Sequence, residues 1–409
     1  MRIGTTTLVI VIATLLLGSL AARGDDPPPA PREAGAASYQ RIGRYTVEQL
    51  NAVLTTEIPE LFGDRVAYTP ATSAVVLYRV SYPSVIPERH NRPTTASGLV
   101  AIPETDAKAL PVVSYQHGTV YGKEDVPSFP EKSFETRLVL AQFAGQGYVV
   151  IAPDYFGMGT SPEDEGYGML PSHQQACLDL HRAALAVLSR EGIAPTALFL
   201  AGWSQGGLTT LAFLEAAERE GLAVTAAATA SGPADGLALL GGTLFAPRPI
   251  DASWGATLFP LTAFAFERYH GIPGLAEGLF TPEAYPLARR FYEKETLTDA
   301  ERAIVLDLHR LIRPEFFDPQ AFAQSAYGRL VATMHPYRWP VRTPLRMYYG
   351  GADEVVRPEL ARLPMLYQQA LGNTKVEAIS AGDDANHRKT FGRAVAKWKA
   401  WFDERRSAR

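Results

Sequence analysis

The chain is 409 residues long, 46% hydrophobic and 20% charged, with a formal net charge of -4. That much apolar material supports a large core in one domain with an insertion or in two domains, and excludes a chain disordered throughout. There is no basic surplus and no Lys/Arg-rich run to neutralise phosphates, so a nucleic-acid partner is not expected.

In chain order, residues 1–22 carry one early cation, Arg2, an apolar run from Leu8 to Leu17 and small residues from Ser19 to Ala22. This pattern predicts a secretory signal peptide. The apolar run is shorter than the roughly 20 residues needed to span a bilayer, so export with cleavage is expected rather than a stable transmembrane anchor, and residence is periplasmic or extracellular. Residues 23–37, with the stretch GDDPPPAPREAGAA, read as a flexible or polyproline-like tether. Cys177 is the sole cysteine, so no intramolecular disulfide can form and the exported fold must rest on its core.

From about residue 73, short β-branched or aromatic runs alternate with helical patterns. Strands are predicted at 75–82, 97–103, 111–116, 148–154, 197–202 and 224–230, the first two as an antiparallel edge. Helices are predicted around 134–145, 173–190 and 207–220. The order favours a mostly parallel sheet with helices on both faces. The alternation stops near Pro233, and residues 234–344 read as a helical cap or lid insertion rich in proline and aromatics, among them Trp254, Phe259, Phe264, Phe266, Tyr269, Phe280, Phe291 and Tyr292. Such aromatics either pack a core or line an apolar acyl pocket. Strands resume at 345–351 and 375–380, and a closing amphipathic helix runs through Val395, Trp398 and Phe402. The core is therefore assigned to 38–233 and 345–409.

The stretch LFLAGWSQGG ends the predicted 197–202 strand and opens a helix. Gly-x-Ser-x-Gly alone is a weak signal, but strand, turn and helix in this order are what a strained nucleophile turn requires. Side chains at Gly202 and Gly206 would clash with neighbouring strand and helix, and Ser204 would stand above the sheet. A serine hydroxyl needs a base within hydrogen-bond reach and a third group to orient that base. Of eight histidines only His387 follows the last two predicted strands, and Asp353, in YYGGADEVV, directly follows the 345–350 run. These become the candidate base and acid, with Glu354 as rival acid and Asp383 and Asp384 as solvated loop residues. Taken singly, Ser204 could cap a helix, Asp353 a turn, and His387 a solvated helix start. The residue types in this chain order, each after a strand, favour a triad.

The Gln205 N–H at the helix start is one candidate oxyanion donor, and the second is assigned to Thr119 in QHGTVYG, with Gly118 as the alternative. No metal or other cofactor is expected, because no His-Glu-x-x-His or cysteine cluster exists and His173 and His181 are too far apart on one helix to share a ligand face.

The stretches TTASGLVAIP, PVVSYQHGT, APDYFGMG, GWSQGG, GGADEVV and NHRKT resemble exported α/β-hydrolases of the secretory lipase type, which include Candida antarctica lipase A-like enzymes and their bacterial relatives. The resemblance implies an α/β-hydrolase fold, the nucleophile, acid and base roles for Ser204, Asp353 and His387, and a helical lid over the site. APDYFGMG is carried by the resemblance more than by derivable chemistry and reads as a structured loop near the pocket. The resulting expectation is a secreted serine hydrolase cleaving small or lipid-like carboxylic esters. A serine peptidase on the same fold and a binding protein on a degenerate scaffold are the rivals.

Overall fold

The computed structural model describes residues 37–407. The signal peptide expected at 1–22 and the tether up to residue 36 lie outside them. Parallel strands buried on both faces need apolar side chains on both, and the central runs have them: β4 (Ala109–Gln116), β5 (Val149–Pro153) and β7 (Ala226–Ala230) are almost wholly buried, as is β6 (Ala194–Trp203) from Ala197 onward. They pair in parallel with one another and with β8 (Leu345–Tyr349) and β9 (Val376–Ser380). An antiparallel flank precedes them in the chain, made of β1 (Ser38–Tyr45), β2 (Val75–Ile86) and β3 (Arg92–Pro103). The spatial order of the nine-stranded sheet is β1-β2-β3-β5-β4-β6-β7-β8-β9.

Strand β1 was not expected from the sequence. Its SYQRIGRY text is half polar, as suits an edge strand that must not invite further pairing, and Arg44 holds Glu104 in an exposed ion pair. The segment from Val47 to Phe62, likewise unanticipated, is helical and sends Leu50, Val53, Leu54, Ile58 and Phe62 into the core.

Two apolar layers sandwich the sheet. On one, the closing helix His387–Ser407 presents Phe391, Trp398 and Phe402 to Tyr115, Phe143 and Phe199, with the rings of Phe199 and Phe402 stacked 4.5 Å apart. On the other, the helices Leu170–Arg190 and Gln205–Arg219 pack against Val112, Leu198 and Leu200. Cys177 is buried there.

Between β7 and β8, which are sheet neighbours, the chain forms a series of short helices from Gly236–Phe245 to Ala326–Val331. Most of its aromatics pack on one another: Phe264 stacks on Phe280 and Tyr292, and Phe259, Phe266 and Tyr269 are buried. Trp254 and Phe291 instead face the core, 6.1 Å from the His387 ring and 5.6 Å from the Tyr121 ring. Among the described residues no helix is long and apolar enough to cross a membrane.

The register of the parallel strands fixes what can meet at their carboxyl ends. Gln116 pairs with Gly202, Trp203 with Ala230, Ala230 with Tyr348, and Tyr349 with Ser380. The segments that follow β4, β6, β8 and β9 therefore leave the sheet on one rim.

Because Phe402 docks the closing helix on the sheet, Phe402→Ala should cost about 3–5 kcal/mol through the lost ring and the cavity it leaves. A denaturant titration should show this as a lower midpoint. A midpoint unchanged from wild type would mean that this stack does not hold the helix.

Candidate active site

Ser204 leaves β6 with φ 57° and ψ -122°, a conformation that costs a non-glycine residue on the order of 1–3 kcal/mol. The glycines around it make the turn possible. A Cβ on Gly202 would fall on the Gly206 carbonyl and the Thr210 hydroxyl, and one on Gly206 would fall on the Gln116 carbonyl. Gly207 lies against Gly232, where a Cβ would come 2.6 Å from the Gly232 Cα. Ser204 makes no side-chain cap on the helix it precedes. Its hydroxyl is turned elsewhere.

The Ser204 Oγ lies 2.9 Å from His387 Nε2, and His387 Nδ1 lies 3.0 Å from both carboxylate oxygens of Asp353. The carboxylate can only accept, so Nδ1 carries the ring proton and Nε2 is left to accept from Ser204. All three residues are nearly excluded from water, at 8%, 3% and 1% exposure for Ser204, His387 and Asp353. Asp353 Oδ1 also accepts the N–H groups of Val355 and Val356 at 2.9 and 2.8 Å.

His387 is held by its backbone as well as its ring. Its N–H donates to Glu354 Oε2 at 2.9 Å, and its carbonyl accepts Trp203 Nε1–H at 3.2 Å. Glu354, the rival acid, thus touches the backbone of the histidine and Asp353 touches the imidazole. Asp383 and Asp384 are exposed, the latter paired with Arg393.

Burial alone would lower the His387 pKa. The Asp353 charge and hydrogen bond, with smaller contributions from Glu354 and Glu135, outweigh it and hold the imidazole above its ordinary value. Burial likewise pushes Asp353 up, but the His387 charge and hydrogen bond and the Val356 N–H bring it below the usual carboxylate range. Such a relay can move a hydroxyl proton to a nitrogen and stabilise the imidazolium that results.

Next to this relay lie the proposed donors. Gln205 is the first residue of its helix, where N–H groups lack intrahelical partners. Among the described residues the Thr119 N–H has no hydrogen-bond partner either, while the Thr119 hydroxyl meets the Tyr167 hydroxyl at 2.6 Å. The alternative, Gly118, differs: its N–H donates to Glu135 Oε2 at 2.9 Å and is committed there. Glu135, which sequence reasoning passed over, is buried on the Phe134–Gln142 helix. The available signal was an acidic residue two positions after the Ser133 cap, in a helix that continues through the apolar run at 138–141.

APDYFGMG begins with the last two residues of β5 and continues into a loop whose Asp154 is fully buried, its carboxylate accepting the Ser97 hydroxyl at 2.6 Å and the Ser128 N–H at 2.9 Å. Tyr155, at φ 69°, donates its hydroxyl to the His117 carbonyl at 3.1 Å. His173 and His181 are buried in the Leu170–Arg190 helix, and burial drives them down to about 3 and about 4, which leaves both neutral. Among the described residues no group of three or more His, Cys, Asp or Glu side chains could hold a metal ion.

Residues 129–251 match a protein-family model described as serine aminopeptidase, S33. No curated protein matches the sequence. Solved structures similar over most of their length include the following three. A Legionella pneumophila protein assigned as a candidate hydrolase is 20% identical with a TM-score of 0.80, over 90% of this chain and 97% of that one. The rice cell wall degrading esterase LipA from Xanthomonas oryzae is 20% identical with a TM-score of 0.77, over 91% and 98%. Candida antarctica lipase A in its closed state is 15% identical with a TM-score of 0.61, over 90% and 82%. A mostly parallel sheet flanked by helices, shared with these hydrolases along nearly the whole described chain, establishes the α/β-hydrolase fold.

Proposed function

We propose that the protein is a serine carboxylic ester hydrolase working through an acyl-enzyme, with Ser204 as nucleophile, His387 as general base and acid, and Asp353 as the group that orients the imidazole. The observation that carries this reading is the buried hydrogen-bonded run from Ser204 Oγ through His387 to the Asp353 carboxylate, at a strained turn. The esterase and lipase names of two structural neighbours support the choice of ester over other acyl substrates.

In this mechanism the Ser204 hydroxyl proton passes to His387 Nε2 as Oγ bonds to the ester carbonyl carbon. The carbonyl oxygen becomes an anion, held by the N–H groups of Gln205 and Thr119. Losing one such donor typically costs about 10²–10³-fold in kcat. The tetrahedral intermediate collapses, the carbon–alkoxide bond breaks, and His387 gives its proton to the leaving alcohol. Water then attacks the acyl-enzyme, His387 takes the proton of that water, and the carboxylic acid leaves as Ser204 regains its hydrogen. The chain supplies every group used, so no cofactor is required.

Residues 234–344 act as a cap over the site. Support comes from Trp254 beside His387, from the Tyr121 hydroxyl 3.0 Å from Thr257 Oγ1, and from Arg248, which donates to the Asp353 carbonyl at 2.9 Å. The sequence of residues 1–22 supports export, and the substrate is a small or lipid-like ester.

Hydrolysis of p-nitrophenyl acyl esters should be measurable, and Ser204→Ala should lose on the order of 10⁶-fold in kcat while its circular dichroism stays that of the wild type. Preference for an aminoacyl or prolyl p-nitroanilide would replace the ester reading with a peptidase, and failure of a fluorophosphonate to label Ser204 would point to a binding protein.

Only the neutral imidazole can take the serine proton. A raised His387 pKa therefore means that kcat/KM is full at alkaline pH and falls on acidification around a midpoint above the ordinary 6.5. Asp353→Asn removes the carboxylate that raises the pKa, so the midpoint should move to lower pH and kcat should fall about 10⁴-fold. An unmoved midpoint in this variant would contradict the orienting role.

A further inference from the structure

Gly118 is gripped on both sides. Its N–H is held by Glu135 Oε2, the same oxygen that accepts the Tyr115 hydroxyl at 2.7 Å, and its carbonyl lies 2.7 Å from His117 Nδ1. Burial drives the His117 ring down to about 4, so it is neutral and has a single N–H to give. Of its two contacts, 2.7 Å to the Gly118 carbonyl and 3.2 Å to the Asp154 carbonyl, the shorter takes the proton. Tyr155 fixes His117 in turn, with its ring stacked at 4.3 Å and its hydroxyl on the His117 carbonyl. This gives the APDYFGMG loop a physical task.

The consequence falls on the next residue. In a trans peptide the carbonyl and the following N–H point to opposite sides, so a Gly118 carbonyl pinned on His117 turns the Thr119 N–H the other way. The turn is close by, because a Cβ on Gly206 would fall on the Gln116 carbonyl and within 2.7 Å of the His117 carbonyl, and one on Gly118 would come 3.2 Å from the Trp203 carbonyl.

We propose that Glu135 is a positioning residue for the oxyanion site: its carboxylate, as an anion, holds the Gly118 N–H and so keeps the Thr119 N–H aimed at the reacting carbonyl. This rests on the ester hydrolase reading above. Among the described residues no cation forms an ion pair with Glu135. The titratable groups that face it are Tyr115 from β4, His387 from the closing helix and Tyr155 from the segment after β5. Arg137, on its own helix, is occupied by Glu57, and Arg388 lies over the Phe134 ring. Burial pushes the Glu135 carboxyl up to about 7, against the pull of the Gly118 N–H, the Tyr115 hydroxyl and the His387 charge. A protonated carboxyl is a weaker acceptor, so acidification loosens the grip on Gly118.

The test compares wild type, Glu135→Gln and Tyr115→Phe in kcat, KM and pH profile, together with the rate of Ser204 labelling by a fluorophosphonate. In the wild type the acid limb should carry a second ionisation besides that of His387. Glu135→Gln keeps the shape of the side chain and loses its charge. Its kcat and labelling rate should fall about tenfold with KM unchanged, and its acid limb should reduce to one ionisation at lower pH. Tyr115→Phe removes a hydrogen bond that favours the carboxylate, so the second ionisation should move to higher pH with the alkaline plateau kept, which gives a readout even where Glu135→Gln does not fold. A Glu135→Gln variant within about twofold of wild type with an unchanged limb overturns the proposal. So does one whose kcat, KM and melting temperature decline together. Ser204 labelling that depends on Glu135, in a protein that hydrolyses no ester, would overturn the substrate reading and leave the positioning role standing.

Discussion

A carboxylate removed from water must be satisfied by its surroundings, and the burial of Asp353 is the constraint on which the site depends. Leaving such a group unpaired costs several kcal/mol. Here two backbone N–H groups and the His387 ring meet the need. That contact sets the tautomer of the imidazole and thereby leaves the nitrogen facing Ser204 free to accept. Trp203 and Glu354 hold the backbone of the same histidine, so the ring has little freedom to leave. The parallel register delivers these groups from segments remote in sequence to one rim.

Much of this was legible in the text because the constraints are local. Parallel strands buried on both faces read as apolar runs, and β4 to β7 were found within a few residues of their ends. The glycines flanking Ser204 were legible for the same reason, since each sits where a Cβ has no room. What escaped was decided by distant partners. Strand β1 is polar because it is an edge, and only its pairing with β2 makes it a strand. Glu135 looks like any acidic residue in a first helical turn, and its burial against Gly118 is a tertiary fact. Thr119 was assigned ahead of Gly118 from the text alone, whereas the commitment of the Gly118 N–H to Glu135 is again a tertiary fact.

The aromatic residues between β7 and β8 divide by environment in a way that composition could not show. Phe264, Phe280 and Tyr292 form an internal stack that lets a set of short helices hold together. Trp254 and Phe291 turn toward the core instead, beside His387 and Tyr121. Most of the segment's buried aromatics thus serve its own packing, and Trp254 is the one whose ring stands beside that of His387.

The central claim is that Ser204 and His387 act as one unit. The most direct measurement is the kcat for a p-nitrophenyl ester of Ser204→Ala, His387→Ala and the double variant. Residues that act on the same proton lose their effect together, so the double variant should be no slower than the worse single one. Losses that multiply, or a His387→Ala variant that keeps more than about a tenth of wild-type kcat, would show that the serine does not depend on this histidine.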